Sequence, residues 1–439
     1  MSSEVGADPK DVKDDNYRYL LKLRKNNYCV DMPRHPIQNK GLTSKGVLNY
    51  YSHRLSPFEK LECKNYQEIH CLPMNDTKIK APENALAINY FKSYYELAVG
   101  DHIDYWYSID KVIAKGRYGV VGAATEGKTR RKVAIKIMYK YSPKIYADCM
   151  SMMRIQEQDK DGSSYCVRML NYGFFRGYHY IVMDPYDTDL KKYMDEHHPD
   201  GIDLDQIGKM TRSVLHGLVF LAKIGVVHAD IQPSNILMNL NNTKELRIGG
   251  FGLSRRIISC VDHAKCQEKE YRAPEVFVYG RQTPAIDMWS FGCLIAEMTN
   301  NKIFIQGENT DDQFFAIQEI IGIPKKEFLA SFSAKSYFYS SFTDPTPNHT
   351  VFRNGREQVD HGFCKASKDR QIPGTRPLRS IFRKSEEKDL LDFMTRALTW
   401  MPKRRITPQQ ALVHPFFVLC KTDISPIFRE YKAPLKELT

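Results

Sequence analysis

Two rhythms of apolar residues divide the chain. From about Tyr105 to Asp184, short runs rich in β-branched and aromatic residues, "YSIDKVIAKG", "YGVVGAAT", "RKVAIKIMY" and "YHYIVMD", are punctuated by glycine, a pattern that predicts strands joined by tight turns. Further on, "LDQIGKMTRSVLHGLVFLAKIG", "PAIDMWSFGCLIAEMTN" and "EKDLLDFMTRALTWM" carry apolar positions at helical spacing and predict helices. Ahead of the strands, Leu48, Tyr51 and Leu55 recur at helical spacing before "SPFEKLE", which marks a small folded segment within Gly41–Ile69. Residues 1–40 are polar with little periodicity and are expected to form a mobile arm. A strand-rich lobe followed by a helix-rich lobe is an α+β arrangement, with a cleft expected between them. The stretch from Phe328 to Arg383 is basic and aromatic without a clear period, as in a functional loop or an insert.

Composition narrows the picture. The 439 residues, 42% of them hydrophobic, suffice for a substantial core. A net charge of +12 favours acidic partners or simply solvates the surface. No basic run interleaved with aromatics appears, so nucleic acid is not an expected partner. The ten cysteines form no CxxC pair and are expected as reduced thiols in an intracellular protein. "MSSEVGADPKDVKDD" has no apolar stretch of signal-peptide kind, and no apolar run reaches bilayer length, so neither secretion nor a membrane span is expected. "KTRRK", Lys128 to Lys132, reads as a solvated hairpin turn or as a nuclear address, which leaves cytoplasm and nucleus open.

Candidate chemistry begins at "IAKGRYGVV". Gly116 and Gly119 fit a hairpin turn and equally a backbone that approaches phosphates and turns N–H groups toward them. Downstream, "VAIKI" sets Lys136 in a strand, where an inward ammonium meets nucleotide phosphates. "VVHADIQPSNILMN" then places His228, Asp230 and Asn235 in a loop between apolar flanks. It is followed by "GGFGLS", "YRAPEV", "DMWSFGCLIAEM" and "RRITPQQALVHPFF". With these motifs in this order, the chain resembles the eukaryotic protein kinases from about Tyr105 to Phe417. "YRAPEV", the "GRQTPAIDMWSFGCLIAE" after it and the insert containing "IPGTRPL" resemble the dual-specificity tyrosine-regulated kinases, the DYRK family. "GLTSKGVLNYYSHRLSPFEKLECKNYQEI" is similar to the accessory region that precedes the kinase domain in the class 2 branch.

The resemblance implies a bilobal protein kinase fold. Its parts are an accessory region over 41–104 packing on the N-lobe, a β-rich N-lobe over 105–186 and an α-helical C-lobe over 187–417 with an insert at about 328–383. A tail completes the chain over 418–439. The resemblance also implies ATP, magnesium, and proteins as substrates or partners. Asp230 matches the catalytic Asp that orients and deprotonates the substrate hydroxyl, and Asn235 the magnesium-binding Asn. Ala114 stands for the first Gly of the phosphate loop, with Gly116 and Gly119 kept. Val121 and Ala134 fit the adenine ceiling, Met183 the gatekeeper, and the backbone of Asp184 and Tyr186 the hinge.

Four departures stand out. Gly250 replaces the Asp that holds the bridging magnesium ahead of Phe251 and Gly252, and Gln232 replaces the Lys that offsets charge on the transferred phosphoryl group. Asp148 stands where a Glu is expected to position Lys136. His263 and Lys265 occupy the places of the self-phosphorylated Tyr-x-Tyr pair, and Asp262 is the nearest downstream carboxylate. The scaffold matches persist: Glu275 with Arg405 as a buried pair, Asp287 on the catalytic-loop backbone, Arg281 beside the pocket after the phosphoacceptor, and His228 as a packing residue. Ala229 replaces an Arg. Two main readings remain, an impaired kinase-fold protein that works by binding, with weak or absent magnesium dependence, and a slow protein kinase; a distant third is a binding module that uses the basic insert to contact nucleic acid.

Overall fold

The computed structural model describes residues 41–73, 94–116, 119–139, 144–257, 266–278, 280–325, 327–328, 350–353, 356–359, 373–382 and 387–418. It falls into two compact units, residues 1–145 with 168–185, and residues 146–167 with 186–439. The expected arm over 1–40, the tail from 419 and most of the insert lie outside the described residues.

The first unit is built on a six-stranded sheet: β1 (His102–Ile103), β2 (Tyr107–Gly116), β3 (Gly119–Glu126), β4 (Lys132–Met138), β5 (Met169–Phe175) and β6 (Tyr178–Met183), in the order β1-β2-β3-β4-β6-β5. Alternation sorts the two faces. Val120, Ala124, Val133, Ile135, Ile137, Tyr180 and Val182 bury one face in a common core, while Val121, Lys136 and Met183 stay half-buried on the other. "KTRRK" turns between β3 and β4, with Arg130 in the left-handed region and Lys128 beside Glu68 at 3.6 Å. Arg176 and Gly177, both at positive φ, make the two-residue turn of the β5–β6 hairpin.

The small segment before the strands is folded, but the helical spacing of Leu48, Tyr51 and Leu55 is broken after Tyr50 by a short turn, and "SPFEKLE" forms a helix of its own. α1 (Ser44–Tyr50) is followed by α2 (Pro57–Glu62), which Ser56 starts with a capping box: its hydroxyl accepts from Glu59 N while Glu59 Oε2 accepts from Ser56 N at 2.8 Å. Val47, Leu55, Cys63 and Ile69 pack with Tyr105 into a second core. The charged tie is Arg176, which donates to Glu62 at 2.8 and 3.1 Å and to Glu59 at 3.4 Å while lying over the Phe175 ring at 4.6 Å. Asp104 and Tyr105 are consecutive non-glycine residues in the left-handed region, each at φ 56°. The segment grips that turn. His70 N and Cys71 N donate to Tyr105 O, Tyr105 OH donates to Glu62 Oε2 at 2.9 Å, and Tyr66 OH donates to Asp104 Oδ1 at 2.7 Å.

The second unit is helical. Nearly all of α3 (Lys144–Gln158) belongs to it, followed by strand β7 (Thr188–Asp189), helices α4 (Leu190–His197) and α5 (Leu204–Lys223), and strands β8 (Val226–Val227), β9 (Ile236–Asn239), β10 (Asn242–Ile248) and β11 (Arg255–Arg256). After α6 (Pro274–Phe277) comes α7 (Pro284–Met298), which Thr283 caps and Pro284 opens; it is buried at every position from Ile286 to Met298. Its uniform burial makes α7 the axis of the helical core. α8 (Thr310–Ile321) is followed, inside the expected insert, by a hairpin of β12 (Thr350–Arg353) and β13 (Arg356–Val359), paired from Thr350↔Val359 to Arg353↔Arg356. α9 (Leu378–Ile381), α10 (Lys388–Ala397), α11 (Pro408–Leu412) and α12 (Pro415–Val418) complete it. Glu275 and Arg405 form a two-pronged ion pair at 2.7 and 2.9 Å with neither side chain exposed. Arg405 also donates to Ala285 O and Thr399 O, so each of its two terminal nitrogens has a second acceptor.

Candidate active site

In the first unit, strand register assembles one group of the expected residues. Lys136 lies opposite Val121 on β3 and Ile181 on β6, and Val121 lies opposite Ala114 on β2. Two residues along, Ala134 pairs with Met183. Directly opposed residues share a face, so Val121, Ala134, Ile181 and Met183 form an apolar floor on the face that carries Lys136. Gly116 pairs with Gly119 across a connection of two residues that lie outside the description. A Cβ on Gly119 would run into the Ile137 carbonyl, whereas one on Gly116 would meet only Gly119 O at 3.7 Å. Close strand packing therefore explains Gly119, and among the described residues nothing closer than Gly119 O approaches a Cβ at Gly116. Asp184, one residue past β6, takes an ion pair from Arg131 at 2.5 Å, a partner that no sequence pattern announces.

In the second unit, the loop that carries Asp230 and Asn235 runs from β8 to β9 and hangs on Asp287 of α7. Asp287 Oδ2 accepts from His228 N and Oδ1 from Ala229 N, both at 2.8 Å. Burial pushes its carboxyl up to about 7, while the two amide hydrogens pull it back. His228 is a strut: its Nδ1 accepts from Asp230 N at 3.2 Å, so Nε2 keeps the proton and donates to Gly249 O at 2.9 Å. Its ring meets Phe251 edge-on at 4.9 Å, and burial lowers its pKa to about 4, which keeps it neutral.

Asp230 sits between two amides. Gln232 Nε2 donates to its Oδ1 at 2.9 Å, and Asn235 Nδ2 donates to its Oδ2 at 2.9 Å and to its backbone O at 2.8 Å. Gly250 has φ 77° and ψ 46°, a left-handed conformation that glycine adopts without penalty. The Asn235 amide is seated against it: a Cβ at 250 would lie 2.5 Å from Asn235 Cγ and closer still to Oδ1. Position 250 thus has no side-chain oxygen, and Asn235 Oδ1 lies on the glycine side. Among the described residues no cluster of three His, Cys, Asp or Glu side chains is arranged to hold a metal.

Asp148 is buried on α3 and Tyr186 lies just ahead of β7, both in the second unit, whereas Lys136 and Asp184 belong to the first. α3 is tied down by a hydrogen bond between the Ser151 and Ser254 hydroxyls at 2.6 Å, and by Arg154, which donates to Ile224 O at 3.1 Å. His263, Lys265 and Asp262 lie outside the described residues. Just downstream of them the chain is clamped by Gln267, a residue that sequence reasoning misses: its N donates to Ala229 O, its Nε2 to Ile286 O and Ser290 Oγ, and its Oε1 accepts from Ala273 N. Nothing in a single sequence separates this Gln from an exposed one. Ala229 holds φ 60°, and Arg281 is exposed.

The family of protein kinase domains matches residues 107–417. The chain is 30% identical over 388 residues to dual specificity tyrosine-phosphorylation-regulated kinase 3 of Macaca fascicularis, covering 85% of this chain and 67% of that protein. For the Homo sapiens protein of that name the identity is also 30%, over 65% of its length. Dual specificity tyrosine-phosphorylation-regulated kinase 4 of Homo sapiens is 28% identical, over 86% of this chain and 70% of that protein. The chain thus spans about two thirds of the length of these relatives. Sheet, helical unit and match together make the fold the expected α+β bilobal kinase fold, and among the described residues no helix is long and apolar enough to cross a membrane.

Proposed function

We propose that this chain, which belongs to the protein kinase superfamily and to its DYRK family, binds ATP on the Lys136 face, is catalytically impaired, and acts through protein contacts as a scaffold, decoy or allosteric partner. The observation that carries the reading is the Asn235 amide seated on Gly250, where kinases place a metal-holding carboxylate. Metal charge at a transferring phosphoryl group contributes several kcal/mol, and each ~1.4 kcal/mol is tenfold in rate. Losing about 5 kcal/mol lowers a turnover of ~1 to 100 per second by roughly three to four orders of magnitude. Gln232 offers Asp230 a hydrogen bond but supplies no cation.

On this reading ATP raises the melting temperature modestly and EDTA leaves the shift in place. A shift that EDTA abolishes refutes the metal independence. The buried thiols of Cys63, Cys71, Cys149, Cys166, Cys266 and Cys293 support an intracellular setting, cytoplasmic or nuclear.

A second reading, a slow protein kinase, is favoured by one observation: Asp287 still holds the loop that presents Asp230 and Asn235. Transfer of labelled phosphate from ATP to a basic, proline-containing peptide separates the two. No transfer above the Asp230→Asn control is expected; transfer that the control abolishes establishes the slow kinase.

A further inference from the structure

We propose that Arg131 is a positioning residue for the nucleotide: its ion pair with Asp184 holds a backbone carbonyl where it accepts a hydrogen bond from the 6-amino group of adenine. The inference rests on the reading that this chain binds ATP on the Lys136 face, and deepens it.

Asp184 follows Met183, the last residue of β6, which pairs with Ala134 on that face. Strand pairing ends there, so other contacts must fix the backbone beyond it. Two do. Asp184 N donates to Arg168 O at 3.3 Å, and Asp184 Oδ1 accepts from Arg131 Nη2 at 2.5 Å. Arg168 stands just ahead of β5 and Arg131 just ahead of β4, so Asp184 is held from the chain leading into both neighbours of β6.

The guanidinium is itself aimed by its turn. Arg131 N donates to Thr129 Oγ1 at 3.2 Å, Arg131 O accepts from Glu126 N at 2.8 Å, and Arg130 takes the left-handed conformation between β3 and β4. Three basic residues of "KTRRK" make ion pairs, Lys128 with Glu68, Lys132 with Asp110 and Arg131 with Asp184. The side chains of the last pair are 34% and 23% exposed, against 30% and 53% for the first and 69% and 36% for the second, so water screens it least. Among the described residues Asp184 O accepts no hydrogen bond, and Pro185 after it has no N–H. The strand end therefore offers an acceptor without an adjacent donor. That suits the 6-amino donor of adenine and opposes the 6-oxo acceptor of guanine.

Purine riboside differs from adenosine only in lacking the 6-amino group, and neither is charged, so the two separate this contact from the pull of a cation on phosphates. With the full-length chain in EDTA, Arg131→Ala is expected to weaken adenosine binding about two- to fivefold, the range of a partly exposed ion pair, and to leave purine riboside unchanged. Beside Asp184→Asn the same change is expected to cost less than about 1.5-fold. Equal loss for both nucleosides, loss for neither, or a loss that persists in full beside Asp184→Asn overturns the proposal.

Hydrogen exchange without any nucleotide tests the pinning itself. The Asp184 amide is expected to exchange about threefold faster or more in Arg131→Ala than in the wild type. An unchanged rate overturns the proposal. A wild-type chain that binds neither ATP nor adenosine defeats the proposed nucleotide binding, and this role with it; a wild-type chain that binds both, with Arg131→Ala binding adenosine equally well, defeats the role of Arg131 alone.

Discussion

The junction around Arg176 and the loop around Asp230 are both crowded with polar side chains, yet they satisfy them differently. At the junction an almost buried guanidinium faces two carboxylates, Glu59 and Glu62, so full charges meet full charges. In the loop the Asp230 carboxylate takes hydrogen bonds from two neutral amides, Gln232 and Asn235. The first arrangement stabilises the fold and asks nothing of a ligand. The second holds a carboxylate with neutral donors, with Gln232 beside it and no side chain at Gly250. The same chain therefore fixes a fold contact with full charges and holds Asp230 with neutral amides.

The strongest way to break the comparison is Arg176→Ala. Two carboxylates would be stranded at low exposure, and a loss of about 3–5 kcal/mol in urea unfolding is expected. A loss under about 1 kcal/mol would place this pair with ordinary surface ion pairs.

Next comes acidity. His228 has a folded pKa of about 4, below its unfolded value near 6.5, so the unfolded chain takes up the proton first. Its contribution is complete above pH 6.5 and is lost as pH falls toward 4, by up to about 3 kcal/mol. Asp287, raised to about 7 by burial, runs the other way, favouring the fold below its unfolded value of 3.8 and losing that favour as pH rises toward 7. Subtracting the stability profile of His228→Gln from that of the wild type isolates the histidine, and a flat difference between pH 7 and 4 would refute it.

His102 tests the same point at the junction. It is fully buried against Tyr105 and Phe175, neither ring nitrogen has a hydrogen-bond partner among the described residues, and burial with the nearby Arg176 holds its pKa well below the usual value. Asp101 lies 3.7 Å away, with Glu59 and Glu62 beyond it on Arg176. His102→Phe is expected to match or exceed the wild type at pH 7 and to pull ahead as pH falls below 6.5.

A smaller effect belongs to Asp104, whose oxygens accept from Tyr66 at 2.7 Å and Tyr180 at 2.6 Å. Tyr66→Phe or Tyr180→Phe is expected to cost about 1–2 kcal/mol. Smallest is Gln232→Ala, at about 0.5–1 kcal/mol. Gln232→Lys, which returns a cation to Asp230, is expected to be neutral or slightly stabilising; a cost above about 1 kcal/mol would mean that the amide is needed for shape.

Much of the molecule is legible in its sequence because it depends on chain order and periodicity. Alternation in "VAIKI" puts Lys136 opposite the buried face, and "HADIQPSN" between apolar flanks makes a loop carrying Asp230 and Asn235. The absence of a carboxylate at 250 is visible in the letters themselves. The hidden part depends on dihedral angles and side-chain direction. Asp104 and Tyr105 adopt a left-handed turn without glycine because the preceding segment holds them there, and no local pattern announces it. The Asn235 amide on Gly250, the Gln267 clamp and the hairpin within the insert are products of packing and pairing that letter order alone does not reveal.

The Asp104–Tyr105 turn carries a consequence for how the protein is made. Two adjacent side chains held in a disfavoured backbone region relax unless partners are already in place. Most of those partners, Glu62, Tyr66, His70 and Cys71, precede the turn, while Tyr180, which also donates to Asp104, follows it. During synthesis the four that precede it leave the ribosome first, so most of the clasp is waiting when the strand it closes upon emerges. A circularly permuted chain that delivers residues 41–73 last would have to shape that corner without them.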